Sequence, residues 1–216
     1  MLINHALVTL TVDGKTEALT QFTKGVYGTL NLKLVDNQIY TLYVKDSITG
    51  REATATTQFI APIKLDTAIA KLEVDKALND TVLTINLEFT DNPSQKNYYL
   101  VDYIPSKKKK EFSFFGLTFS NSTSTLFTDD AADANHKIKI NKSLLINPTD
   151  TFTVTLFNIT KEYYDYQNAY KRREGFIAQL TAEPISLPTN VKNGQGFFNM
   201  SYPSLRQVVR EVVRVE

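Results

Sequence analysis

Apolar and polar residues alternate with period two along most of this chain, the spacing that sends every second side chain to one face of a β-strand. The alternation begins at residues 6–12 and continues, broken by turn residues at short intervals, to Ile60. Asp13-Gly14 predicts a hairpin turn, because glycine accepts positive φ and aspartate tolerates it. Residues 29–34 put Leu30, Leu32 and Leu34 on one face, and after Asp36-Asn37 the alternation resumes at Tyr40, Leu42 and Val44. That pair predicts a hairpin with one buried face. Gly50 then turns the chain into a Thr- and Ala-rich strand over residues 51–59, and Pro62 closes the segment. These strands are few beside the roughly seven of an immunoglobulin-like sandwich. Residues 1–62 are therefore expected to form a partial immunoglobulin-like β module.

Residues 63–216 are expected to form a larger β-sandwich domain, making the chain mainly β with two sandwich modules. Leu83, Ile85, Leu87 and Phe89 face one way along a strand that Asp91-Asn92-Pro93 must end. Residues 98–104 and 112–119 predict aromatic strands of a long hairpin, with Lys107, Lys108, Lys109 and Lys110 at its tip. Short strands are predicted at 137–140 and 152–157. Thr160 then suits a helix N-cap, with Glu162 at the positive end of the dipole and Lys171, Arg172 and Arg173 at the negative end. Tyr163, Tyr166 and Tyr170 recur at helical spacing, and Gly175 is a stop, so one amphipathic helix is predicted near residues 160–175. It is expected to bury its stripe against the second sandwich. Pro184 and Pro188 enforce an extended connection, and Gly194 and Gly196 mark a tight bend before Phe197-Phe198. Residues 205–215 fit a helix face and a Val-rich strand equally well.

Composition adds mostly exclusions. The chain has 216 residues, 42% hydrophobic and 22% charged, with a net charge of +1. That balance gives no global attraction to nucleic acid. Zero Cys removes disulfides, thiolate metal sites and cysteine nucleophiles together, without fixing a compartment. No apolar run reaches the ~20 residues of a membrane-spanning helix. Met1 leads almost at once into strand-like sequence, so either the chain is cytoplasmic or an exported precursor begins upstream.

The chemistry on offer is thin. Histidine occurs only at His5 and His136, and there is no Gly-x-Ser-x-Gly, P-loop or dinucleotide fingerprint, so the chain is expected to be no enzyme and to need no cofactor. Asp129, Asp130 and Asp133 concentrate hard oxygen ligands in one loop, a weak calcium candidate that lacks the glycine and closing glutamate of an EF-hand. The same carboxylates with His136 are the only constellation a hydrolase reading has. The better candidate is a surface. Tyr98, Tyr99, Tyr103, Phe112 and Phe114, with Phe115 and Phe119, are too many aromatics for one inward face, and the four lysines between the two strands block edge pairing. Tyr98, Tyr99, Tyr103, Lys107 to Lys110, Phe112 and Phe114 are thus the expected partner or ligand surface.

Two motifs carry a resemblance: Tyr163-Tyr164-Asp165-Tyr166 and Asn193-Gly194-Gln195-Gly196-Phe197-Phe198. With Gly25-Val26-Tyr27, the run from Tyr40 to Val44, Gly50, Pro62 and Asp129-Asp130, the chain resembles an exported family of unknown function numbered 4249, common in Bacteroidota. The resemblance implies a lipoprotein of the cell envelope, associated with the outer membrane or periplasm, although this chain has no lipobox cysteine. It also implies an accessory role beside a TonB-dependent uptake receptor, and thus a receptor or other envelope protein as partner. A glycan-binding module is the alternative, motivated by the surplus tyrosines, since Tyr can stack on sugars. The family brings no catalytic residues to carry over.

Overall fold

The structure, a computed structural model, describes residues 5–75, 80–105, 112–114, 117–119, 124–145, 152–174, 185–207 and 209–211. The chain is mainly β with a single α-helix among the described residues, and it divides into two units. One comprises residues 1–61 and 159–201, the other residues 62–158 and 202–216.

The first unit begins with β1 (Ala6–Val12) and β2 (Lys15–Ala18), which pair antiparallel across Asp13-Gly14. Both turn residues have positive φ, 49° and 69°, the geometry the dipeptide predicts. A small separate hairpin follows, β3 (Thr20–Thr23) with β4 (Val26–Gly28). Then come β5 (Ile39–Asp46) and β6 (Glu52–Gln58), which pair across Gly50 at φ 70°. Val8 lies opposite Val44 and Leu10 opposite Leu42 on β1 and β5, so the apolar sets of these strands share one face. Leu10, Tyr40 and Phe59 form the buried centre there, with Leu32, Leu34, Phe198 and Met200 packed against it.

The hairpin expected over residues 29–44 is absent. Residues 29–35 form no strand, and Leu30 is 95% exposed. The cause is the fully buried Tyr40, whose hydroxyl accepts from the Val35 N–H at 3.0 Å and donates to the Lys33 carbonyl at 3.3 Å. Side-chain bonding replaces a ladder, so Leu32 and Leu34 pack without a strand partner.

In the second unit, β7 (Leu65–Asp75), β8 (Asp80–Thr90), β9 (Tyr98–Pro105), β10 (Phe112–Phe114), β11 (Leu117–Phe119), β12 (Ser124–Thr128), β13 (Lys137–Leu145) and β14 (Phe152–Ile159) follow in turn. After the helix α1 (Lys161–Glu174) and β15 (Val191–Lys192), β16 (Ser204–Gln207) and β17 (Val209–Glu211) close the chain. Two four-stranded sheets result, ordered β12-β9-β14-β16 and β13-β8-β7-β17. Leu83, Ile85, Leu87 and Phe89 of one sheet and Tyr99, Val101, Tyr103, Val154 and Leu156 of the other share a single buried cluster. The described part of the undecided tail is strand: β16 pairs antiparallel with β14, and β17 runs parallel to β7. The long hairpin predicted over residues 98–119 does not form, because β9 pairs with β12 while β10 and β11 pair with each other. The lysine tip, Lys107 to Lys110, lies outside the described residues.

The helix is where the sequence places it, but it groups with the first unit rather than the second. Thr160 caps it through its hydroxyl, which accepts from the Tyr163 N–H at 3.2 Å. Tyr163, Tyr166 and Tyr170 form a ladder of rings about 6 Å apart, and Phe197 packs against the first two at 5.5 and 5.0 Å. Gly175 lies outside the described residues. The assignment to the first unit follows from the return of the chain: β15 adds to the edge of β6, with Val191 opposite Ala55. The Asn190 carboxamide fixes this return, donating to Thr56 at 2.9 Å and Phe198 at 2.7 Å while accepting from the Phe198 N–H at 2.8 Å. Gly196, at φ 123°, makes the bend between them.

Replacing Asn190 by alanine removes all three bonds and leaves backbone groups to find water. It is expected to destabilise the first unit by about 1–3 kcal/mol, read as a shift in the urea unfolding midpoint with the helix signal followed by circular dichroism.

Candidate functional site

An apolar concavity of about 520 Å³ lies within the first unit. Its floor is the apolar face of β1 and β5 (Ala6, Val8, Leu10, Leu42, Val44), and its walls are Leu19, Gly25 and Tyr27 on one side and Phe198 and Met200 on the other. None of these ten residues carries a side-chain carboxylate, imidazole, ammonium or guanidinium group. Their one polar group is the Tyr27 hydroxyl, which accepts from the Ala6 N–H at 3.2 Å and keeps its own proton to donate. The far wall depends on the Asn190 bonds, because they hold Phe198 beside the sheet. The arrangement can bind an apolar group, and it holds no acid or base for a reaction.

A second surface is the outward side of the sheet β12-β9-β14-β16. Alternation along β9 turns Tyr99, Val101 and Tyr103 inward and Tyr98, Leu100, Asp102 and Ile104 outward. Ile104 is 51% exposed, Tyr98 half-buried. On β16, Leu205 lies opposite Thr155 and is 62% exposed. Leu100 and Thr155 on this side are buried, so among the described residues exposed large apolar side chains on it are confined to Ile104 near the end of β9 and Leu205 on β16.

The sequence profile of the family described as Domain of unknown function (DUF4249) matches residues 1–204. The chain belongs to this family. No curated protein matches it. For the DUF4249 chain the Asn193-to-Phe198 motif acquires a structural role, since it forms the bend that brings Phe197 to the helix rings and Phe198 to the pocket wall.

The expected surface residues are divided by the fold. Tyr99 and Tyr103 are fully buried, so they are core and not surface, a correction that follows from strand alternation. Tyr99 donates to the buried carboxylate of Asp91, which also accepts from Asn97 Nδ2 at 3.1 Å. Burial first, and then that carboxylate, holds the Tyr99 phenol protonated well above its ordinary range. Burial pushes Tyr103 up to about 12. Phe112 and Phe114 lie on β10, which pairs with β11, away from the β9 ladder. Tyr98 alone of the aromatic set has a described side chain on an outward face.

The calcium candidate resolves into turn devices. Lys96 Nζ sits 2.5 Å from both Asp129 and Asp130, and these two carboxylates hold the ammonium above the ordinary lysine range. Asp129 also accepts from the Asn97 N–H at 2.9 Å. Asp133 Oδ1 accepts from the N–H groups of Lys137 and Asn135 at 3.0 and 2.8 Å, closing the loop before β13. Among the described residues no group of His, Asp and Glu side chains is arranged to hold a metal. His136 serves here through its backbone, at φ 58°, with its carbonyl accepting from the Asp91 N–H at 2.7 Å. The pocket is what sequence reasoning missed. Val8, Leu10, Leu42 and Val44 were visible as an alternating face, but nothing local tied Tyr27 or Phe198 to them.

Two outcomes test these assignments. Tyr99→Phe removes one of the two partners of buried Asp91 and is expected to lower stability by about 1–3 kcal/mol in urea melts. Lys96 first and Thr128 next hold the Asp130 carboxyl below its ordinary value, and the Lys137 and Asn135 amides do the same for Asp133. A depressed folded-state pKa gives stability that is complete above the unfolded value near ~4 and is lost as pH falls through the lower folded one. Asp133→Asn is therefore expected to lower the neutral plateau of the unfolding midpoint toward its acid value, and so to flatten the acid limb.

Proposed function

We propose that this DUF4249 chain is a non-enzymatic binding protein of the bacterial cell envelope that acts as an accessory to a TonB-dependent outer-membrane uptake receptor. The outward face of the β12-β9-β14-β16 sheet supports it most directly, with Ile104 and Leu205 exposed on it and Tyr98 half-buried at the opposite end of β9 from Ile104. Aromatic and aliphatic side chains at the centre of a patch, with polar groups around, are what protein partners bury. The envelope location follows from the family resemblance. The two units are taken as immunoglobulin-like modules, a scaffold on which sheet faces commonly meet partners.

A glycan-binding module is the second reading. The outward face of the first sheet favours it: Thr9, Thr11, Thr41, Thr54 and Thr56 share it with Tyr43, along with exposed Leu7 and Ile39. Hydroxyls around one aromatic ring suit a sugar's polar edge and apolar face.

Ile104→Asp combined with Leu205→Asp tests the first reading without touching the core. Wild-type protein is expected to retain an outer-membrane receptor in a pulldown from native envelopes, and the double variant to lose it by at least about tenfold, equivalent to ~1.4 kcal/mol. Equal retention by both proteins, or none by either, overturns it, and a glycan-array signal that disappears with Tyr43→Ala moves the assignment to the second.

A further inference from the structure

We propose that the apolar pocket of the first unit holds one aliphatic chain of a membrane lipid, entering beside the β3–β4 hairpin. This stands apart from the receptor reading, which uses other residues on another sheet. The pocket's volume of about 520 Å³ falls in the range of small-molecule sites. Its walls are aliphatic, aromatic and thioether, so a sugar or an ion would leave its polar groups without partners there. An inserted peptide would meet the same difficulty, since the side chains offer a single hydroxyl to a backbone that needs one donor and one acceptor partnered per residue. A hydrocarbon chain needs none, and each methylene it buries strengthens binding roughly fourfold. The Tyr27 hydroxyl, already accepting from Ala6, has a proton to give to an ester carbonyl or carboxylate at the end of the chain.

The hairpin itself points to a lipid surface as the source. Alternation turns Tyr27 toward the pocket and Val26 away from it. Val26 is 50% exposed and Phe22 61%, and Leu30 just beyond β4 is 95% exposed. A bulge in the register between Gln21 and Thr23 places Phe22 as the extra residue, and its ring lies over Gly28, where a Cβ would come within 2.7 Å of it. Lys24 occupies the turn, exposed. Exposed Phe22 and Val26 flank the Lys24 turn and Leu30 follows the hairpin's other end, the kind of apolar edge that enters the headgroup region of a bilayer with the lysine toward anionic lipid. One hairpin thus presents apolar side chains outward and closes an apolar pocket on its inner side.

Two measurements on the full chain test this: a titration with cis-parinaric acid, whose emission rises in an apolar site, and flotation with vesicles of phosphatidylcholine and phosphatidylglycerol. Wild-type protein is expected to do both. Val44→Trp fills the pocket floor and is expected to weaken parinaric acid binding at least about tenfold, the equivalent of displacing two methylenes. Met200→Trp does the same from the opposite wall and replaces the first variant if its thermal midpoint shows misfolding. Phe22→Ser, Val26→Ser and Leu30→Ser together are expected to keep parinaric acid binding and abolish flotation. No binding by the wild type, or equal binding by both tryptophan variants, overturns the proposal. Parinaric acid binding without flotation overturns its lipid-surface half, and flotation unaffected by the triple serine variant removes the hairpin from it.

Discussion

The carboxamide of Asn190 is the contact on which the first unit depends. It bonds to the backbone of β6 and to both polar groups of Phe198, and by doing so it returns to the first sheet a chain that has meanwhile built most of another unit. β15 pairs beside it, and the bend at Gly196 falls between its two anchor points. Remove the return, and Phe197 loses its place against the helix tyrosines while the pocket loses a wall. A single side chain with two donors and one acceptor matches this task, since it satisfies three backbone groups that no regular ladder reaches.

Tyrosines do comparable work where ladders end. Tyr40 is buried in the first core and serves the backbone at Lys33 and Val35, which is why residues 29–35 pack without becoming a strand. Tyr99 is buried in the second core and donates to Asp91, whose other partner, Asn97, also accepts from Asp129 and closes the turn after β8. Each ring supplies apolar area and each hydroxyl supplies a bond that phenylalanine cannot make. The same economy accounts for the Asp loop. Its carboxylates look like metal ligands when read in sequence, but Lys96 and three backbone amides occupy them.

The two candidate surfaces differ in kind. The outward face of the β9 sheet exposes Ile104 and Leu205 among polar neighbours, whereas the first-unit pocket is concave and almost wholly apolar. The described lining of the pocket carries no acid or base, whereas the outward face includes the Asp102 carboxylate.

Much of the architecture was legible along the chain, because period two is a local property: β1, β5, β6, β8 and the Asp13-Gly14 turn lie where alternation and turn chemistry put them, and Thr160 caps the helix as its hydroxyl allows. Composition and motif reading also carried the family. Tertiary structure decided what alternation cannot encode, namely which strand pairs with which and which side faces a core. Tyr98 and Tyr99 are neighbours of one chemical type, yet one lies on an outward face and the other is sealed, because adjacent strand residues point in opposite directions. The pocket was invisible for a related reason: Tyr27, Val44 and Phe198 lie far apart in sequence and meet only when the Asn190 return closes the unit.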